Sequence, residues 1–222
     1  MRERHTRLAL FDLDNTLLAG DSDHAWGQFM VAQGIVNRAD YGIKNDAFYQ
    51  DYLAGNLDMI AYAEFSLAPL TQYSTTELQT IHKEFMQTTI IPMIAPKTEA
   101  LLKKHRDAGD VLVIVTATND FITTPIAEYL GIPHLIATPA ECLDGRYTGK
   151  LSGAPCFQAG KIDKLNTWMA QNGHTIEGAC FYSDSHNDIP LLALVEVPIV
   201  VDPDTTLQAH ALANDWPQIS LR

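Results

Sequence analysis

The stretch Leu8-Ala9-Leu10-Phe11-Asp12-Leu13-Asp14-Asn15-Thr16 decides the fold. Its first four residues are apolar without interruption, which reads as a strand buried on both faces, as in a parallel sheet covered by helices. The carboxylates of Asp12 and Asp14 are two residues apart, so in extended backbone they leave the chain on the same side. Three more runs share this texture: Val111 to Val115, Ala179 to Tyr182 and Pro198 to Val201. Each ends in polar residues: Thr116-Ala117-Thr118-Asn119-Asp120, then Ser183-Asp184-Ser185-His186-Asn187-Asp188, then Asp202. Ligands of open parallel sheets bind at the carboxyl ends of strands, so these clusters are expected to meet at one edge.

Helical patterns alternate with the later runs: Lys97 to Asp107 stopped by Gly109, Thr123 to Leu130, Lys161 to Gln171, and Ile189 to Leu194. The alternation implies an α/β fold with a doubly wound, Rossmann-like parallel sheet. Residues 19–92 contain no strand-like run. They offer amphipathic segments at Ser22 to Gln33, Asp46 to Leu53, Asp58 to Ser66 and Thr76 to Thr88, the last preceded by N-cap chemistry at Ser74 and Glu77. The expected division is an α/β core of residues 1–18 and 93–222 with an inserted helical cap of residues 19–92. Asp144-Gly145 is expected to turn a hairpin between Ile136-Ala137-Thr138 and Arg146-Tyr147-Thr148.

The chain has 222 residues, 46% hydrophobic and 19% charged, as in an ordinary globular protein. Fifteen Lys and Arg against 27 Asp and Glu give a net charge of −12, which argues against nucleic acid or an anionic membrane as main partner. An anionic substrate then needs a local cation or metal to reverse the field. Cys142, Cys156 and Cys180 form neither a disulfide framework nor a zinc motif. The charged start, Met1 to Arg7, leads straight into the first run, and no apolar run approaches the ~20 residues of a membrane span. A soluble, cytoplasmic protein is expected.

Asp12 and Asp14 are suited to holding a hard cation or to dividing nucleophile and acid/base duties. They equally suit an Asp-rich turn capping a helix at Asn15 or Thr16. Asp184, Asn187 and Asp188 offer further oxygens for a magnesium ion that retains waters, or an N-cap for the next helix. Thr116, with the backbone N–H groups of Ala117 and Thr118, suits phosphate oxygens at a helix start, or is simply a cap. Lys161 opens a helix where the dipole prefers an anion, which is unfavourable unless it serves one nearby.

In order, strand context and spacing, these residues resemble the haloacid dehalogenase superfamily of phosphatases: Asp12-Leu13-Asp14-Asn15-Thr16, Thr116, Lys161, and Ser183 to Asp188 stand as its four motifs. The insertion resembles the C1-type cap of the phosphoserine phosphatase-like branch, subfamily IB. The resemblance implies a Mg²⁺-dependent phosphatase of a small-molecule phosphate monoester. Asp12 is then the nucleophile that becomes aspartyl-phosphate, and Asp14 the general acid and base. Mg²⁺ is held by Asp12, the Asp14 carbonyl and Asp184, with Asn187 or Asp188 direct or through water. Thr116 and Lys161 bind the phosphoryl oxygens, and Lys161 also pairs with Asp188.

Phosphoserine phosphatases of this branch carry a Glu where Asp21 stands and an Arg in a cap helix, but Ala61 to Ser66 contains no Arg. The acidic and aromatic remainder, Asp21, Asp23, Trp26, Tyr62 and Glu64, suits a cationic amine, unless Trp26 and Tyr62 simply pack between cap helices. An amino-alcohol phosphate such as histidinol phosphate is therefore the favoured substrate. Phosphoserine, phosphotransfer, or a non-catalytic phosphate-binding relative are the alternatives. His24 and His186 read as pocket-edge or capping residues, and the oligomeric state stays open.

Overall fold

The computed structural model describes residues 6–222, so Met1 to His5, including most of the charged start, lie outside the described residues. Six strands form one parallel sheet: β1 (Leu8–Phe11), β2 (Val111–Asn119), β3 (His134–Thr138), β6 (Cys180–Ser183), β7 (Val197–Val201) and β8 (Gln218–Ile219), in the order β3-β2-β1-β6-β7-β8. The hairpin β4 (Ala140–Leu143) and β5 (Arg146–Leu151) stands apart. β1 lies between β2 and β6, with Phe11 in register with Ile114 and Tyr182.

Strand residues alternate between two buried layers, as a two-residue side-chain period requires. Leu8, Leu10, Val113, Val115 and Phe181 pack under α8 (Ala159–Asn172), α9 (Ile189–Leu192) and α10 (Thr205–Ala213). Ala9, Phe11, Leu112, Ile114 and Tyr182 face the other way, toward α6 (Thr98–Ala108) and α7 (Asp120–Tyr129). α6 ends where Gly109 takes the left-handed conformation at φ 76°, a glycine stop.

Between β1 and β2 the described chain is helical: α1 (Ser22–Ala32), α2 (Ile43–Leu53), α3 (Met59–Leu67), α4 (Thr75–Phe85) and the short α5 (Ile91–Met93). Ser74 and Glu77 complete a capping box at α4. The segments leading into and out of this insertion run antiparallel, with Ala19 N–H donating to Met93 O at 2.6 Å and Ala95 N–H to Leu17 O at 3.0 Å. Trp26, Phe29 and Phe85 of the insertion share one apolar cluster with Phe121 of α7 and the sheet face.

The hairpin expectation needs correction. Asp144 and Gly145 do form its turn, both at positive φ, but its arms are β4 and β5. Ile136 to Thr138 instead belong to β3, which pairs with β2 at the sheet edge. β3 is only partly buried and is set off by Pro139, so it lacks the continuous apolar run of the central strands.

Candidate active site

At the carboxyl end of β1 the chain swings through one wide turn, Leu13–Leu17, closed by Leu18 N–H donating to Leu13 O at 3.0 Å. Asn15 takes φ 54° within it, while Asp14 stays extended. Asp12 and Asp14 both line one cavity. Asp14 is held from two sides: Ser22 N–H donates to its Oδ1 at 2.6 Å and the Thr118 hydroxyl to its Oδ2 at 2.8 Å. Burial, reinforced by the charge of Asp21 and opposed by these donors, pushes Asp14 up to about 6.

Lys161 reaches the site because Gly160 lets the start of α8 come close to Pro155: a β-carbon at Gly160 would lie 2.4 Å from the Pro155 carbonyl oxygen. The Lys161 ammonium then donates at 2.8 Å to Asp12 Oδ1 and at 2.8 Å to Asp188 Oδ2. Burial alone would push this ammonium down, but the two carboxylates outweigh it and hold it above its ordinary range. Asp188 also accepts from the Ser183 hydroxyl at 2.7 Å, and burial, opposed by Lys161, places it at about 6. Burial likewise raises Asp12 against the pull of Lys161.

A second link had not been singled out from the sequence. The Thr16 hydroxyl donates to Asp184 Oδ1 at 3.0 Å and lies 3.3 Å from Asp12 Oδ2, while Asp184 N–H donates back to Thr16 Oγ1 at 3.1 Å. Asp184 is driven well above the carboxylate range, first by burial and then by the charge of Asp12. Asp12, Asp184 and Asp188 thus crowd together with one ammonium among them, an excess of carboxylates that a bound cation would offset. The donors are hard oxygens, as magnesium prefers. No group of three or more His, Cys, Asp or Glu is gathered as a metal shell among the described residues. A magnesium ion bound through one or two carboxylates, with waters completing its octahedron, does not need one. Asp188 and Asn187 already have protein partners: Asp188 anchors Lys161, and Asn187 Oδ1 accepts from Gln158 Nε2 at 3.0 Å.

Thr116, Ala117 and Thr118 also line the cavity. Thr116 Oγ1 accepts from Thr118 N–H at 3.2 Å, which leaves its own proton to donate. Asp21, Asp23 and His24 at the start of α1, Phe48, Tyr49 and Tyr52 of α2, and Leu57, Met59 and Tyr62 complete the wall. Phe48, Tyr49 and Tyr52 were missed by the sequence reading, although their spacing along α2 puts them on one helix face. Asp21 serves as N-cap of α1, its Oδ1 accepting from His24 N–H at 2.8 Å. Burial pushes both Asp21 and Asp23 up to about 7.

Two expectations about the lining are corrected. Glu64 is exposed and lies outside the cavity wall, because it stands two residues beyond Tyr62 and so about 200° around the helix. Trp26 is 1% exposed and packs among Phe29, His82, Phe85 and Phe121, so the packing alternative describes it. His186 also lies off the cavity, its backbone N–H and Nδ1 both on Asp204 Oδ2 at 2.6 and 2.8 Å.

A family model described as haloacid dehalogenase-like hydrolase matches residues 9–193. The chain belongs to this family. Among the relatives of this haloacid dehalogenase-like hydrolase, a histidinol-phosphatase of Neisseria meningitidis is 45% identical over 219 residues, covering 97% of this chain and 99% of the relative. A crystal structure of a protein of unknown function from Bordetella pertussis superposes with a TM-score of 0.92 at 42% identity, covering 98% of this chain and 100% of that one. A phosphoserine phosphatase solved as a phospho-aspartyl intermediate analogue shares the fold, with a TM-score of 0.69 at 18% identity over 99% of this chain and 95% of that one. The haloacid dehalogenase-like hydrolase described here is a phosphatase of that superfamily. No helix among its described residues is long and apolar enough to cross a membrane.

Proposed function

We propose that this phosphatase hydrolyses histidinol phosphate, with Mg²⁺, through a phosphorylated Asp12. The observation that carries the substrate is the composition of the cavity wall. Asp21, Asp23, Tyr49, Tyr52 and Tyr62 line it, and no Lys or Arg is among its lining residues; Lys161, behind Asp12, is held by Asp12 and Asp188 and serves the phosphoryl end. A substrate carboxylate would meet like charge there without the bidentate Arg that best binds it, whereas an ammonium or imidazolium meets carboxylates and aromatic faces. The 45% identity to a histidinol-phosphatase supports the same reading.

In this account Asp12, steered by Lys161, attacks phosphorus, and the ester oxygen leaves with a proton from Asp14. The Ser22 amide can only donate, so the proton rides on Asp14 Oδ2, where the Thr118 hydroxyl turns from donor to acceptor. Asp14 then takes a proton from the water that attacks the acyl-phosphate, which frees inorganic phosphate and restores the Asp12 carboxylate and the protonated Asp14. Thr116 and Lys161 donate to the phosphoryl oxygens. Asp12, Asp184 and the Asp14 carbonyl would hold Mg²⁺, whose charge lets a carboxylate approach a dianionic phosphate. Asn187, bonded to Gln158 and Ser185, would stiffen the turn after β6 that carries Asp184, and Asp188 would set Lys161.

Residues 19–92 act as the cap in this reading, and α2 with the loop after it moves outward to admit the ester. Here α2 and the loop after it meet the core: Tyr52 of α2 faces Phe157 at 6.3 Å, and a β-carbon at Gly55 would stand 3.3 Å from His186 Nε2. Three unpaired cysteines suit the reducing cytoplasm. Steady-state kinetics test the substrate: kcat/KM for histidinol phosphate is expected to exceed that for phosphoserine by about tenfold or more, and a preference for phosphoserine overturns the assignment.

A further inference from the structure

We propose that Asp23 is the specificity-determining residue of this cavity, the group that pairs with the cation of the substrate; the proposal rests on the histidinol-phosphate reading and assigns its recognition to one side chain. Asp23 sits in the first turn of α1, is 8% exposed, and lines the same cavity as Asp12 and Asp14. It is not needed to cap the helix, because Asp21 already does so. Its donors are neutral: the Ser66 hydroxyl at 3.0 Å and the Tyr62 phenol. These satisfy its geometry without balancing its charge. None of the ion pairs among the described residues includes it. The neighbouring charge of Asp14 makes its surroundings more negative still.

A buried carboxylate with no cation is costly, and hydrophobic packing alone does not require one. The walls beside it are aromatic, with Phe48, Tyr49 and Tyr62 in the cavity lining, and aromatic faces attract cations as well. His24, next in sequence and in the same wall, has a buried Nδ1 that no protein group pairs. Asp21 caps α1 and is only half-buried, where Asp23 is buried and free of any capping role. The group that completes Asp23 is therefore a cation brought by the ligand.

The test compares kcat/KM for histidinol phosphate and for p-nitrophenyl phosphate, whose leaving group has no cation, in the wild-type chain and in Asp23→Asn. The ratio between the two esters is expected to fall by roughly 30-fold or more, the loss typical of removing one partner of a buried charge pair. Equal losses on both esters overturn the proposal and leave Asp23 as a tie between α1 and Ser66. A wild-type measurement stands independently of whether the variant folds. Phosphoethanolamine should be hydrolysed at least about tenfold more efficiently than propyl phosphate, which replaces its ammonium by methyl. No preference between these two overturns the role of Asp23. If the wild type ignores histidinol phosphate yet prefers phosphoethanolamine, and Asp23→Asn loses that preference, the named substrate fails and Asp23 stands.

Discussion

Replacing Lys161 by Met keeps an unbranched side chain of similar length but removes the ammonium that stands 2.8 Å from both Asp12 Oδ1 and Asp188 Oδ2. These carboxylates are 6% and 2% exposed, so water cannot take its place. Removing one partner of a buried ion pair costs about 3–5 kcal/mol. The cost depends on pH, and its sign follows from proton binding. Asp188 stands at about 6 even with Lys161 present, and without it both carboxylates move higher. The unfolded chain ionises them near pH 4, so between pH 4 and these raised values the folded variant binds more protons than the unfolded chain. Its stability therefore falls as pH rises across that window, and falls more steeply than that of the wild type, whose ammonium stays charged throughout. Urea unfolding in chelator should show a deficit of about 3–5 kcal/mol at pH 8. At pH 5, where the protonated carboxylates need no cation, it should shrink to less than about half of that. Adding Asp188→Asn should recover about 1–2 kcal/mol at pH 8. An equal deficit at both pH values, or a loss below about 1 kcal/mol at pH 8, would refute the reasoning.

Thr118→Val removes the hydroxyl that shares the Asp14 proton, so kcat should drop by roughly 10- to 100-fold with KM little changed, as steady-state kinetics will report. Chelator should abolish turnover and excess Mg²⁺ restore it; Mg²⁺ should also raise Tm more at pH 8 than at pH 5, because the crowded carboxylates bind it only when ionised. Asp23 stands at about 7 in the folded state, so its ionisation is a burden that grows with pH. Relative to wild type, Asp23→Asn should gain about 2–3 kcal/mol between pH 5 and pH 8 in denaturant unfolding, and a flat difference would count against the burial argument.

The central sheet was legible because β1, β2, β6 and β7 are buried on both faces and leave continuous apolar runs, each closed by polar residues. β3 and β8 lie at the two edges of the sheet and are partly or wholly exposed, so no continuous apolar run marks them. The hairpin turn was visible in Asp144-Gly145, but turn chemistry fixes the centre of a hairpin and not which flanking residues pair. At the site, Asp12, Asp14, Thr116, Lys161 and Asp184 could be named because motif order survives in sequence. Thr16 and Ser183 act through bonds to Asp184 and Asp188, and Thr118 through its bond to Asp14, which only the folded chain reveals. The helical stretch 19–92 was the least legible. Whether Glu64 or Tyr62 faces the cavity depends on helix phase, and Trp26 is equally at home in a wall or in a core.

The most direct measurement is chemical trapping of the intermediate. Quenching the enzyme within one turnover of histidinol phosphate and reducing with borohydride converts an acyl-phosphate to an alcohol, so mass spectrometry of the peptides should find homoserine at position 12, and only when substrate and Mg²⁺ are both present. Steady turnover with position 12 unmodified, or with the reduced residue at position 14 or 184, would contradict the account.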